Sequence, residues 1–210
     1  VVTNVMLERL AAVDGPTGGR ILRPSDQKAP ASTVFVQCAG SRDENHLPYC
    51  SAVCCTASFK QTSYLRSQYP DCRVAIFYID IRTPGRLEEF QARIAADPGV
   101  ALIKGKVVEV AEDPETKDLL VTAEDALRNK KITWRANLVV LATGIVPQRS
   151  WLPPGFGVDD YGFLHTANGR SGCYPAGCAH RPEEVSATVQ DATAAALKAL
   201  QCVVRGRRNG

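Results

Sequence analysis

The stretch Val34–Ile81, VFVQCAGSRDENHLPYCSAVCCTASFKQTSYLRSQYPDCRVAIFYIDI, decides the fold. Its first residues, Val34 to Cys38, read as a short buried strand, and its last nine, Arg73 to Ile81, read as a second. Between them the pattern predicts a helix from about Leu47 to Tyr69. Pro48 is a favoured first helical residue, and Pro70 stops the helix. Gly85 to Ala96 predicts a second helix. Strand, helix, strand, helix implies a parallel sheet of α/β type.

Outward from this stretch the elements continue. Val5 to Val13 is helix-like and ends in Gly15-Pro16-Thr17-Gly18-Gly19, which reads as a turn because it follows a helix rather than a strand. Downstream, Val100 to Gly105 and Lys106 to Glu112 read as extended. Leu119 to Thr122 follows the turn formers Asp113 to Asp118, and Lys131 to Trp134 comes next, so a small antiparallel layer is expected on the parallel sheet. Leu138 to Gly144 is apolar throughout and ends in a glycine turn, as a central strand buried on both faces does. Pro182 to Val204 predicts an amphipathic helix whose apolar stripe is Val185, Val189, Ala192, Ala196, Leu200 and Val203. Glu183 and Glu184 sit at its positive end and Gly206 at its cap.

Composition narrows the function classes. The 210 residues are 45% hydrophobic and 22% charged, which is ordinary globular usage. The net charge of +3 leaves no basic face for nucleic acid, and no apolar run approaches the roughly 20 residues a membrane span needs. Eight cysteines are too few for a secreted disulfide scaffold of this length, so a reducing cytoplasm fits better. The chain opens on Val1 rather than Met, which reads as a piece of a longer protein.

Cys38, Cys50, Cys54 and Cys55 form a C-x11-C-x3-CC constellation where the first strand gives way to the helix. With a helix starting at Pro48, Cys50 and Cys54 share one face a turn apart, and the helix dipole together with Arg42 favours thiolate over thiol. Buried structural thiols, a redox disulfide, zinc and an iron–sulfur cluster all use cysteine. Redox exchange prefers C-x-x-C, which is absent here. Structural zinc usually takes two close pairs and the chain has one, so spacing leaves zinc and iron–sulfur both open. Cys72, Cys173 and Cys202 read as structural. His46, His165 and His180 stand apart from any nucleophile.

A dinucleotide-binding sheet carries G-x-G-x-x-G after its first strand. Here that turn is Ala39-Gly40-Ser41-Arg42-Asp43, with one glycine, so NAD binding is not expected. Thiols stand where pyrophosphate would sit.

The blocks Phe35 to Glu44, Pro48 to Cys55 and Asp80-Ile81-Arg82-Thr83-Pro84-Gly85 resemble the A subunit of heterodisulfide reductase. Asn45-His46-Leu47, Gly15 to Gly19 and Arg23-Pro24-Ser25-Asp26 resemble its relative, the A subunit of the quinone-interacting membrane-bound oxidoreductase complex. The resemblance covers nearly the whole chain, as a C-terminal fragment. It implies a thioredoxin-reductase-like, Rossmann-type fold with the C-terminal part of an FAD-type domain. Residues 1–31 would belong to the preceding FAD-type domain, 32–134 to a pyridine-nucleotide-type domain carrying the cysteines, and 135–210 to the returning FAD-type segment.

By the same resemblance Cys38, Cys50, Cys54 and Cys55 would ligate a [4Fe-4S] cluster. Thr143 and Gly144 match the return into the FAD-type domain, and Gly177 and Cys178 match a segment that contacts flavin in related reductases, with Cys178 where those carry Asp. FAD is implied for the full-length protein, with its site incomplete here. The implied role is electron transfer between a quinone-associated partner and a sulfur-cycle reductase, within a membrane-associated redox complex that the chain joins from the cytoplasm through partner subunits, the fragment alone being inactive. No catalytic residue is assigned. The competing reading is a non-catalytic docking or zinc-binding domain for subunit assembly.

Overall fold

The computed structural model describes residues 1–148, 156–166 and 172–208, with side chains up to 204. The elements in order are β1 Val2–Thr3, α1 Asn4–Ala11, β2 Ser32–Val36, α2 Cys54–Gln68, β3 Arg73–Tyr78, α3 Leu87–Ala95, β4 Val100–Glu112, β5 Leu119–Asp125, β6 Lys130–Ala136, β7 Leu138–Leu141, β8 Phe156–Val158, β9 Leu164–Thr166 and α4 Val185–Arg208. They divide into two compact units. One holds Val1–Cys50 and Cys54–Gly144, the other Ser51–Val53 and Ile145–Gly210.

In the first unit seven strands form one sheet in the order β1-β7-β2-β3-β4-β5-β6. The pairs from β1 to β4 are parallel, and β4–β5 and β5–β6 are antiparallel. The parallel strands are apolar at successive positions because both faces are covered. Phe35, Val74, Ile76, Leu138 and Val140 face α1, α2 and α3, packing with Leu7, Phe59, Leu65 and Ile94. Their alternates Val34, Val36, Ala75, Phe77 and Val139 face Val121, Ala123, Ala136 and Trp134 of the antiparallel strands. The small antiparallel layer therefore folds over the face that the helices leave, and the Phe77 and Trp134 rings meet edge to face at 6.5 Å.

Two expected extended segments are one strand. The start of β4 pairs with β3 and its remainder with β5, so hydrogen bonding passes from one neighbour to the next with only a register shift between Val107 and Glu109.

The helix expected from Pro48 begins at Cys54. A helix through Pro48 needs the carbonyls of Leu47 and Tyr49 for residues four further on. Those carbonyls instead accept from the Asp43 and Arg42 amides at 3.0 and 3.2 Å, and Ala52 at φ +59° lies in the left-handed region, which ends any helix.

In the second unit β8 and β9 form a hairpin, and α4 packs on the short turn Gly177–Ala179. The Glu184 carboxylate caps α4, accepting from the Ser186 and Ala187 amides at 2.7 Å each. Gly206 lies inside α4 rather than capping it, since the helix continues to Arg208. Much of the expected apolar stripe is exposed: Val185 79%, Val189 60%, Leu200 58% and Val203 55%.

Candidate functional site

Because β7, β2 and β3 are parallel neighbours, the residues that follow them emerge at one edge of the sheet. Cys38 follows β2, Asp80 to Arg82 follow β3, and Thr143 and Gly144 follow β7. The chain leaves β2 for β3 on one side and finds β7 on the other, which makes this the crevice where open parallel sheets bind ligands.

A pinned loop fills the crevice. Ser41 Oγ donates to the Thr143 carbonyl at 3.3 Å, the Ala39 amide to the Ala142 carbonyl at 3.1 Å, and the Leu47 amide to the Gly40 carbonyl at 3.1 Å. Cys38 and Arg42 are held left-handed, at φ +56° and +57°. For residues with a side chain such backbone costs about 1–3 kcal/mol and persists only where surroundings impose it, typically at functional sites. Gln37, next to Cys38, is buried with no partner for its Oε1 among the described residues.

The loop, the segment after it and α2 bring the four thiols together. Each of Cys38, Cys50, Cys54 and Cys55 lies within electrostatic reach of the other three. Cys54 and Cys55 open α2, so the favourable dipole position is theirs and not that of Cys50, which sits outside any helix. None of the eight cysteines is in a disulfide. Among the described residues no three His, Cys, Asp or Glu side chains close around a single ion.

The expected preference for thiolate is reversed. Burial pushes the Cys54 thiol up to about 12, with Cys38, Cys55 and Cys50 adding to the rise against one hydrogen bond from the Gly144 amide. Burial also raises Cys38, opposed by the charge and hydrogen bond of Arg42. Cys55 rises for the same reason, opposed by the Arg82 amide. The dipole and one arginine do not offset the loss of water around several sulfurs that would carry like charge.

Four soft donors, one buried and three half-buried, suit a positively charged centre that deprotonates them on binding. Four cysteine donors match the ligand set of an iron–sulfur cluster, in which each thiolate would bind a different iron.

Sequence reasoning assigned no role to Asp80 or Arg82, although they directly follow an apolar strand. Asp80 Oδ1 accepts from Arg42 Nη1 at 2.6 Å and lies 3.6 Å from Arg82 Nε. Lys60, five residues after Cys55, turns to Glu8 at 2.9 Å and lies over the Tyr64 ring.

The residues expected at a flavin offer little backbone for one. Gly144 gives its amide to Cys54, and the Thr143 carbonyl is taken by Ser41. Gly177, at φ +57°, gives its amide to Asp191 Oδ2 at 2.7 Å. Cys178 is exposed, its Sγ 3.5 Å from the Glu183 carbonyl, and Thr143 is exposed as well.

No family model matches the chain. It is 37% identical to the second iron-sulfur A subunit of the CoB--CoM heterodisulfide reductase of Methanopyrus kandleri, over 98% of this chain and 34% of that protein. It is 38% identical to the A subunit of the H(2)/formate:CoB-CoM heterodisulfide,ferredoxin reductase of Methanococcus maripaludis, over 93% of this chain and 32% of that one. The chain thus spans about a third of the length of these curated relatives. Among solved structures, thioredoxin reductase of Lactococcus lactis aligns with a TM-score of 0.54 at 15% identity, over 83% of this chain and 53% of the other, which shows a shared thioredoxin-reductase-like fold. That of T. acidophilum gives 0.51 at 16%, over 82% and 53%. Across nearly all of its length the chain is homologous to one third of the A subunit of heterodisulfide reductase, and it belongs to that family.

Proposed function

We propose that the chain is the cluster-bearing part of an electron-transfer subunit, in which Cys38, Cys50, Cys54 and Cys55 hold one [4Fe-4S] cluster. The observation that carries this reading is the gathering of four half-buried to buried thiols at the sheet's ligand crevice, each in reach of the others. A bound cluster supplies one-electron redox chemistry. The chain's own part is to hold the sulfurs and to stabilise their negative charge. The Gly144 amide does so at Cys54, the Arg82 amide at Cys55, and the Arg42 guanidinium at Cys38.

FAD is assigned to the longer protein. In this chain any contact from the residues at 143, 144, 177 and 178 falls mainly to the exposed side chains of Thr143 and Cys178. Residues 32–134 would form the pyridine-nucleotide-type part, flanked by FAD-type segments 1–31 and 135–210. The apolar stripe exposed on α4 fits a covering polypeptide, in keeping with membership of a multi-subunit redox complex. Among the described residues no helix is long and apolar enough to cross a membrane, so attachment to one would come through partners. Those partners would be a quinone-associated protein and a sulfur-cycle reductase, met from the cytoplasm.

The test is anaerobic reconstitution of the full-length protein with iron and sulfide, followed by metal, sulfide and spectroscopic analysis of the four Cys→Ser variants. Loss of about four irons per chain in each variant is expected. A colourless, iron-free wild type after reconstitution would sink the reading and leave the docking domain in its place.

A further inference from the structure

Asp80 lies just beyond the end of β3, two residues after Tyr78. Its side chain and its main chain both engage the thiol site, in different directions. The carboxylate takes Arg42 Nη1 at 2.6 Å and has Arg82 Nε at 3.6 Å. Its carbonyl accepts from the Cys55 thiol at 3.9 Å, and two residues on, the Arg82 amide bonds the Cys55 sulfur. Arg42, held by this carboxylate, bonds the sulfur of Cys38, four residues back on its own loop. Long arginine side chains lose much rotamer freedom when fixed on a target, so an ordered guanidinium at a sulfur needs a second anchor. Asp80 is that anchor, and Arg42 starts from a left-handed backbone that also fixes its direction.

We propose that Asp80 is a positioning residue for the four-thiol centre: its carboxylate holds the Arg42 guanidinium against Cys38, while the Arg82 amide two residues on bonds the Cys55 sulfur. The proposal rests on the cluster reading above. Asp80 touches no iron, and it acts through Arg42. Its own negative charge and its effect on Arg42 push the cluster's midpoint potential in opposite directions, because a nearby anion disfavours the reduced cluster and a nearby cation favours it.

This opposition supplies the test. Asp80→Asn removes the charge but keeps an acceptor for Arg42. Asp80→Ala removes the same charge and releases Arg42, and Asp80→Ser serves in its place where the alanine variant does not fold. In the reconstituted full-length protein, redox titration followed by electron paramagnetic resonance should show the midpoint potential rising in Asp80→Asn, lying lower in Asp80→Ala than in Asp80→Asn, and falling in Arg42→Ala. In the Arg42→Ala background both substitutions should raise it. Equal shifts for Asn and Ala, repeated unchanged in that background, would reduce Asp80 to a surface charge and overturn the proposal.

Should wild type hold no iron, the cluster reading fails on its own. The guanidinium resonances of Arg42 in the cluster-free protein then decide the positioning role. Restricted rotation kept in Asp80→Asn and lost in Asp80→Ala supports it, and no difference between the two overturns it.

Discussion

Arg42 and Asp80, 38 positions apart in the chain, meet at 2.6 Å, and the same guanidinium reaches the Cys38 sulfur. One ion pair therefore ties the loop after β2 to the end of β3 across the mouth of the crevice. About a quarter of the Arg42 side chain and half of Asp80 remain exposed, so solvent screens the pair and its direct contribution to stability is small. Its consequence lies in where it holds a positive charge.

The raised thiols make the cluster-free protein sensitive to alkali. Cys38, Cys54 and Cys55 keep their protons above the ordinary value of 9.0, and Cys54 to about 12. The unfolded chain releases these protons near 9.0 while the folded chain retains them. Stability from these groups is therefore full below pH 9 and is lost between pH 9 and about 12. Urea denaturation across that window should show the loss, and Cys54→Ser should make it shallower.

At Ala52 the backbone is left-handed at φ +59°. Glycine, which has no Cβ to meet the carbonyl, adopts this conformation freely, although it adds entropy to the unfolded chain. Ala52→Gly should raise stability by about 0.5–1 kcal/mol. The urea midpoint should move up with an unchanged slope.

Gly177 faces two constraints at once. Its φ is +57°, and a Cβ there would stand 2.6 Å from Thr188 Cγ2. Gly177→Ala should cost about 1–3 kcal/mol, by strain and by displacing the start of α4. Hydrogen exchange should quicken in the first turns of α4 while β2 and β3 keep their protection.

The end of α2 is locked by Arg66, which bonds both Asp97 oxygens at 2.8 and 3.0 Å and donates to the Cys72 carbonyl at 2.8 Å. Arg66→Ala should cost about 2 kcal/mol at neutral pH. Hydrogen bonds from Arg66 hold the Asp97 carboxyl below its usual 3.8, so this contribution is present above 3.8 and is lost as pH falls through the lower folded value. The gap in stability between wild type and Arg66→Ala should therefore narrow in acid.

Sequence alone determined the sheet. Val34 to Val36, Val74 to Tyr78 and Leu138 to Leu141 are apolar at consecutive positions, a pattern set by the alternation of side chains in a strand covered on both faces, and they became its parallel centre. It also marked the cysteines, since residue type and spacing are local facts. The start of α2 was beyond it. Whether Pro48 opens a helix depends on carbonyls that Arg42 and Asp43 claim from a distance, and no period in the sequence records that. The protonation of the thiols was beyond it too. A dipole and an arginine are legible in the sequence, whereas the water stripped from the sulfurs depends on how the loop, α2 and the strand ends close together. Only the tertiary structure brought Asp80 to Arg42, because parallel neighbours joined by a helix place their carboxyl ends side by side however far apart they lie in the chain.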